Sequence, residues 1–266
     1  MKVLVTGASG SVGGLVCQGL LEKGVETRVL IRDLNRAPQN QDITVFQGNL
    51  ANAESCREAV TGVDVVFLLL TYDGDPSLAQ ILNDVGVQKV VAVQDGTVYP
   101  IETALREIGI PLVMLYPVEF MKNAATYWCD SIRYECVART LFPDAKGAPI
   151  HEADVADAAL AVIMGDGHIG QSYCLTGPEV TTPRKRVGAI SNAIGKSVRL
   201  EVQTEEEARS EYASWGFTPE LIEFAITTSK NPEPYMYQVL STVEDLTGHP
   251  ARTFQKWAED HREDFV

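Results

Sequence analysis

The stretch VLVTGASGSVG, residues 3–13, constrains the fold of this chain more than any other. Lys2 to Thr6 reads as a buried strand, glycines follow at Gly7, Gly10 and Gly13, and a helical pattern starts at once. A strand that turns this sharply into a helix needs residues without a Cβ. The same bare backbone lets phosphate oxygens approach its N–H groups, and the helix start adds unpaired donors and the positive end of a dipole. Glycine-rich turns also occur without a ligand. The position of this one, after a strand and opening a helix, marks a dinucleotide pyrophosphate site. Gly7, Ser9, Gly10, Ser11, Val12 and Gly13 are expected to form it.

Further strand patterns follow at Glu26–Arg32, Ile43–Gly48, Val63–Leu70, Lys89–Val93 and Pro111–Tyr116. Helical patterns lie between them. One covers Val12 to Lys23 and stops at Gly24; another covers about Ala53 to Val60, with Asn52 as its cap. Pro76 to Val85 is a short helix, and Pro100 suits the first turn of a helix running to about Ile108. The unbroken apolar run VDVVFLLL fits a central parallel strand buried on both faces. This alternation predicts an α/β fold, a doubly wound parallel Rossmann sheet with right-handed crossovers.

Beyond residue 150 the texture changes. Helices are expected at Asp154–Met164, Arg184–Ile194 and Pro219–Thr228, and from Thr204 with a Thr204–Glu207 capping box and a stop at Gly216. Short strands are expected at Ser172–Gly177 and Val198–Gln203, and two short helices close the chain. The expected division is a dinucleotide-binding domain over 1–150 and a smaller C-terminal α/β substrate lobe over 151–266, packed on the sheet without a sharp boundary.

At 266 residues and 45% hydrophobic content, the chain can bury one sizeable core, or a main domain with an annex. Its formal net charge of −14 repels nucleic acid phosphates and anionic membranes, so neither is an expected partner. No apolar run is long enough to span a bilayer, and Met1 leads straight into the first strand, which leaves no room for a signal peptide. The five cysteines and four histidines are scattered without metal-ligand spacing, so no metal site is expected. Reduced thiols in a cytoplasmic protein fit this pattern.

Ligands of such sheets bind beyond the C-terminal strand ends. Arg32 falls where a guanidinium accommodates a ribose 2′-phosphate, which favours NADP over NAD. Asp33 either pairs with Arg32 or faces solvent. Asn49 and Leu50 fall at the adenine edge, although Asn49 also suits a turn. Leu70, Thr71 and Gln94 fall along the pyrophosphate and the nicotinamide ribose.

With these residues in place, the chain resembles the NmrA-like branch of the atypical short-chain dehydrogenase/reductases. VTGASGSVG is similar to the branch's TGATGxxG opening, VLIRD to its strand-end arginine segment and VDVVFLLLT to its fourth strand. IETALREIGIPLVMLYPVEFMKNA resembles a segment ending in an LRPxxFMxN pattern, with Tyr116 in place of the arginine. HEADVADAALAVI, GQSYCLTGPEVTT and VEDLTGHPARTFQKWAED resemble later parts of the branch. The resemblance implies an NAD(P)-binding domain and a small variable lobe. It leaves the reaction open, because the branch holds quinone, enone, imine and dye reductases as well as sensors that bind dinucleotide without turnover.

One departure bears on the chemistry. Many short-chain dehydrogenases use a Tyr-x-x-x-Lys pair, whose lysine lowers the phenol pKa and holds the ribose. Here the segment reads Tyr99-Pro-Ile-Glu-Thr103, with threonine at the lysine position. Segments 75–85 and 94–100 are also short. Tyr99 and Tyr116 are the candidate proton donors, with Asp95 a further acid. Lys122 replaces the missing lysine only if its helix points inward. Tyr72, Glu119, Phe120, Asn123 and Tyr127 are the candidate substrate-pocket residues, and Trp128, Trp215, Phe217, Tyr235 and Tyr237 are further aromatic candidates. His151 and Asp154 read as structural. The expected function is NADPH-dependent hydride transfer to an apolar or aromatic small molecule such as a quinone, enone, imine or related carbonyl compound. The alternatives are an NADP(H)-binding sensor and a redox-neutral enzyme of the same fold.

Overall fold

Seven strands build one parallel sheet in the computed structural model, which describes residues 1–94 and 97–266. They are β1 (Lys2–Thr6), β2 (Glu26–Ile31), β3 (Ile43–Gln47), β4 (Val65–Leu69), β5 (Lys89–Val93), β6 (Leu112–Pro117) and β8 (Ser172–Leu175). Their order is β3-β2-β1-β4-β5-β6-β8, and every pairing is parallel. The winding reverses at β1, which is flanked by β2 and β4. Ligands of open α/β sheets bind at such a switch point.

The strands are Val- and Leu-rich because both faces are covered. On one face Leu4, Leu30, Val66, Leu68, Val90, Ala92 and Met114 join one cluster with residues of three helices: α2 (Arg57–Val60), α3 (Leu78–Asp84) and α4 (Pro100–Ile108). On the other face lie α1 (Ser11–Glu22) and α6 (Glu152–Met164), which pack together. Lys89 caps the end of α6. Its ammonium donates to the carbonyls of Val162, Ile163 and Gly165 at 2.9, 3.0 and 2.8 Å.

Contacts group the chain into two interleaved units: residues 1–117, 152–175 and 242–249, and residues 118–151, 176–241 and 250–266. This corrects the expected division at residue 150. α6 and β8 lie beyond that position, yet β8 forms the last strand of the sheet, and α6 and α10 (Thr242–Thr247), which pack together, group with the same unit.

The second unit holds α5 (Asn123–Glu135), β7 (Val137–Thr140), α7 (Pro183–Ile194), β9 (Arg199–Val202), α8 (Glu205–Ser214), α9 (Pro219–Lys230) and α11 (Phe254–Asp260). β7 and β9 form a two-stranded parallel sheet. Trp128, Phe254, Trp257 and Phe265 dominate its core, and the Trp128 indole donates to the Arg139 carbonyl at 2.8 Å.

Several boundaries differ from expectation for local reasons. α3 starts at Leu78, because the Asp75 carboxylate accepts from the backbone N–H and the hydroxyl of Ser77 and ties the preceding residues into a turn. The helix expected over Ala53–Val60 begins with a 3-10 turn, Ala53–Cys56. Asn52 sits at its cap position without a side-chain bond, and Asp75 instead accepts from the Ala53 N–H.

Candidate functional site

The phosphate turn of the first unit follows directly from its glycines. Gly7 leaves β1 with φ +68°, a conformation that costs residues with a Cβ. A Cβ on Gly13 would lie 2.3 Å from the Gly7 carbonyl oxygen, so the helix can sit this close to the turn only with glycine there. The Gly10 N–H donates to the Gly7 carbonyl at 2.9 Å, and Gly10 caps α1 without any side-chain hydrogen bond. No acidic residue occupies the first turn of α1. The helix start therefore keeps its donors and its positive dipole end for an anion. Ser9 and Ser11 flank this opening, and Val12 is buried beneath it.

Arg32 follows β2 directly and is exposed. Among the described residues no carboxylate pairs with it. Of the two roles open to Asp33 it takes the solvent-facing one: it is exposed, and its carboxylate caps the next 3-10 turn and accepts from the backbone N–H and side-chain amide of Asn35 at 3.0 and 2.9 Å. Asn49 is exposed, and its side-chain oxygen accepts from the Ala51 N–H, which is the turn chemistry weighed for it. Leu50 packs against the core cluster beside it.

At the ends of β4 and β5, Leu70 is core, whereas Thr71 and Gln94 carry buried polar atoms without partners. The Thr71 hydroxyl and both side-chain amide atoms of Gln94 make no hydrogen bond among the described residues, and Gln94 is only 4% exposed. Native interiors satisfy most such groups, so these orphans call for an explanation. The bare glycine turn, the unpaired Arg32 and these orphans fit a dinucleotide lying along the strand ends.

The two candidate phenols differ in their surroundings. Tyr116 donates to the Glu102 carboxylate at 3.3 Å, and Arg106 donates to the Tyr116 oxygen at 3.4 Å. Glu102 is 3% exposed and pairs with Arg106 at 2.8 Å. Tyr99 stands at the N-cap of α4 and packs against the core. Thr103 holds the lysine position on that helix. Tyr72 is 86% exposed on the surface after β4. Asp95 lies outside the described residues.

The second unit contains a cavity of about 350 Å³, a volume suited to a small organic ligand. Glu119, Asn123 and Tyr127 line it, together with Trp128, Trp215 and Phe217. Phe120, Tyr235 and Tyr237 are not among its lining; Phe120 instead pairs through its backbone with Ile150. Tyr127 from α5 stacks on Trp215 at 5.4 Å between ring centres and 15° between planes, and Tyr212 and Phe217 pack against the same indole. Loss of hydration pushes the Tyr127 phenol up to about 12, with the Glu119 carboxylate adding to the effect, so it stays protonated at neutral pH.

Glu119 is bound by Arg186 through two parallel bonds of 2.6 and 2.9 Å, and Arg186 also donates to Thr181 at 2.7 Å. A Cβ on Gly147 would lie 2.7 Å from that guanidinium and 2.8 Å from the Glu119 carboxylate. Sequence reading missed Arg186, Tyr212 and Phe224 as lining residues. Arg186 sits 67 positions from Glu119, and no local pattern signals a pair so distant in sequence.

The remaining candidates are structural by position. His151 is buried, lies 3.7 Å from Asp260 and contacts the His261 ring. Asp154 is buried in the first turn of α6. Lys122 is exposed at the N-cap of α5 and replaces no buried lysine. Among the described residues, no group of three or more histidine, cysteine or acidic side chains could hold a metal ion. Among them, too, no helix is long and apolar enough to cross a membrane.

A family described as NAD(P)H-binding matches residues 7–113. A (4-alkanoyl-5-oxo-2,5-dihydrofuran-3-yl)methyl phosphate reductase of Streptomyces griseus is 31% identical, with 99% of each chain covered. An NAD(P)H azoreductase of Xenophilus azovorans is 28% identical over 97% of each chain. Among solved structures, the fold is similar to that of a triphenylmethane reductase from a Citrobacter species. The TM-score is 0.82 at 19% identity, with 99% of this chain and 100% of the other covered.

Proposed function

This chain belongs to the NmrA-like branch of the atypical short-chain dehydrogenase/reductases, and from that membership we propose that it is an NADPH-dependent reductase of an apolar small molecule. The acceptor is a quinone, enone, imine or related carbonyl compound. The observation that carries this reading is the glycine cradle, open at the start of α1, together with an exposed Arg32 that no carboxylate among the described residues neutralises. The relatives support the reaction class, because reductases are among the proteins similar over the whole chain.

Reduced nicotinamide, when bound, supplies the hydride. The residues of this chain bind and orient. Gly7 to Gly13 and the N-terminus of α1 receive the pyrophosphate, and Arg32 receives the 2′-phosphate and so selects NADPH over NADH. Asn49 and Leu50 border the adenine, while Leu70, Thr71 and Gln94 lie toward the nicotinamide side. The second unit by itself holds an aromatic cavity whose lining has the chemistry such an acceptor binds, with Tyr127 a protonated phenol and Asn123 an amide. Tyr99, Tyr116 or water delivers the proton. The Tyr116 hydroxyl donates to the Glu102 carboxylate, which weighs against its use as the donor.

Steady-state NADPH oxidation against a panel of quinones, conjugated enones and cyclic imines tests the proposal. Turnover with at least one class, and a clear preference for NADPH over NADH, is the expected result. Tight NADPH binding with no turnover on any acceptor would overturn it in favour of a dinucleotide sensor.

A further inference from the structure

We propose that the α8–α9 hairpin, residues 204–230, is a lid on the aromatic cavity of the second unit, which detaches to admit an apolar acceptor and closes on it through Trp215. The inference rests on the reading of that cavity as an acceptor site and adds to it how the site opens.

The hairpin is lightly held by the rest of its unit. Only Ala208, Ile222 and Ile226 of its residues are buried, and none of them joins the core cluster that contains Trp128, Phe254, Trp257 and Phe265. α7, by contrast, places Val187 and Ile190 in that cluster and packs on α11. Among the described residues, one side-chain hydrogen bond reaches the hairpin from outside: the Gln203 amide donates to the Glu211 carboxylate at 2.7 Å. One ring contact does so, the stack of Tyr127 on Trp215. α8 and α9 have 10 and 12 residues, lengths at which a helix is marginal without tertiary burial. A segment with so few buried apolar side chains opens at a small part of the global unfolding free energy.

Within itself the hairpin is joined. The Arg209 guanidinium of α8 donates to Glu205 on its own helix at 2.7 Å and to Glu223 of α9 at 2.8 Å. Tyr212, Trp215 and Phe217 pack on one another at the turn between the helices. The two helices therefore dock and detach together. The chain is fixed on either side of them. The Gln203 N–H donates to the Thr140 carbonyl at 3.0 Å, at the end of the β7–β9 pair, and the Met236 carbonyl accepts from the Ala148 N–H at 2.9 Å. Among the described residues, 231–235 make no hydrogen bond to the body of the unit. The turning points are thus 203–204 and 231–235.

What the hairpin covers gives this motion a use. Tyr212, Trp215, Phe217 and Phe224 form its wall of the cavity, and Tyr127 and Trp128 of α5 belong to the wall that stays with the core. An apolar ligand between them loses water on both sides at once. It therefore binds the docked hairpin more tightly than the detached one and shifts the equilibrium toward closure. Closure also removes water from around an acceptor that is to receive a hydride, the service that mobile lids give other enzymes.

Amide hydrogen exchange of the full chain, read peptide by peptide by mass spectrometry, tests this. Once detached, the two short helices keep little protection of their own. Residues 204–230 are therefore expected to exchange at least about tenfold faster than α7 and α11, with both helices opening at one rate. Menadione at ten times its Kd, with NADP present so that no turnover occurs, is expected to slow that exchange about tenfold and to leave α7 and α11 unchanged. Glu211→Ala, which removes the outside hydrogen bond, is expected to speed exchange of 204–230 about fivefold and to leave NADPH affinity unaltered. Exchange in 204–230 as slow as in α7, or α9 opening without α8, would overturn the inference. So would menadione that is reduced by NADPH on the protein yet leaves the exchange of 204–230 unchanged. If the natural protein reduces no acceptor at all, the reductase reading fails separately, and the exchange of 204–230 without ligand still upholds or overturns the lid.

Discussion

At the scale of single residues, the cofactor reading turns on Arg32. Its guanidinium is exposed at a strand end, and the neighbouring carboxylate that might have neutralised it is engaged with Asn35. Asp33 therefore does not compete with a 2′-phosphate for the arginine. Arg32→Ala is expected to weaken NADPH by at least about tenfold, the loss of one or more charge-assisted bonds, and to leave NADH nearly unchanged. Fluorescence titration with both cofactors checks this; equal losses would contradict it. The phenols separate in the same way. Tyr99→Phe is expected to lower kcat by roughly 100-fold, the lower end of what a general acid contributes. Tyr116→Phe is expected to lower it much less, because that hydroxyl serves Glu102 and Arg106. Steady-state kinetics of the two variants would reveal the reverse order if Tyr116 were the donor. The glycines, Arg32 and the missing lysine at Thr103 were legible in the sequence, since each sits at a fixed offset from a strand end. The Glu119–Arg186 pair was not, because it joins residues that only the tertiary fold brings together.

At the scale of elements, strong local signals set the boundaries that sequence reading placed well. α4 runs from Pro100 to Ile108 as expected, because proline fits its first turn and Gly109 ends it with φ +78°. The capping box of α8 forms as read, with Thr204 and Glu207 exchanging bonds. α5 and β7 were missed for a physical reason. α5 carries Thr, Tyr, Trp, Cys and Asp, residues of middling helix preference, and it ends at Cys136 in the left-handed conformation rather than at a glycine. What holds it is burial of Ala124, Trp128 and Ile132 in the second unit's core, a tertiary effect. The element on which the proposed cofactor site rests is the β1–α1 turn. Gly13→Ala would drive a methyl group to 2.3 Å from the Gly7 carbonyl, so α1 must shift outward. The expected outcome is loss of NADPH binding by more than about tenfold, with a lowered melting temperature. Calorimetry with and without NADPH checks both; an unchanged affinity would show that the turn does not contact the cofactor.

At the scale of the whole molecule, the acid surplus shapes stability. Ion pairs with arginine and hydrogen bonds hold several carboxyls below their ordinary values: Glu54 by Arg57, Asp75 by Ser77 and the Ala53 N–H, Asp144 by Arg184, and Glu207 by Thr204. Each titrates lower in the folded state than in the unfolded one. The stability they contribute is complete above the unfolded values, near pH 4, and is lost as pH falls through the folded values. Denaturant midpoints should therefore stay level from pH 8 to about 6 and fall below about 4; a midpoint that rose on acidification would contradict the assignment. The interleaving of the two units was not legible in the sequence. It arises because α6, β8 and α10 return to the sheet after the chain has built part of the second unit, and no composition change marks those returns. The central claim concerns the molecule as a whole, that it moves a hydride from NADPH to an apolar acceptor. NADPH carrying deuterium at C4 of the nicotinamide, incubated with a quinone or conjugated enone and followed by mass spectrometry of the product, tests it most directly. With the label on the pro-R and the pro-S position in separate runs, the account predicts one deuterium at carbon in the reduced enone from one of the two cofactors, or stoichiometric formation of the oxidised, label-retaining or label-depleted NADP with the quinone. Product formed with no loss of NADPH would contradict it and place the protein among redox-neutral enzymes.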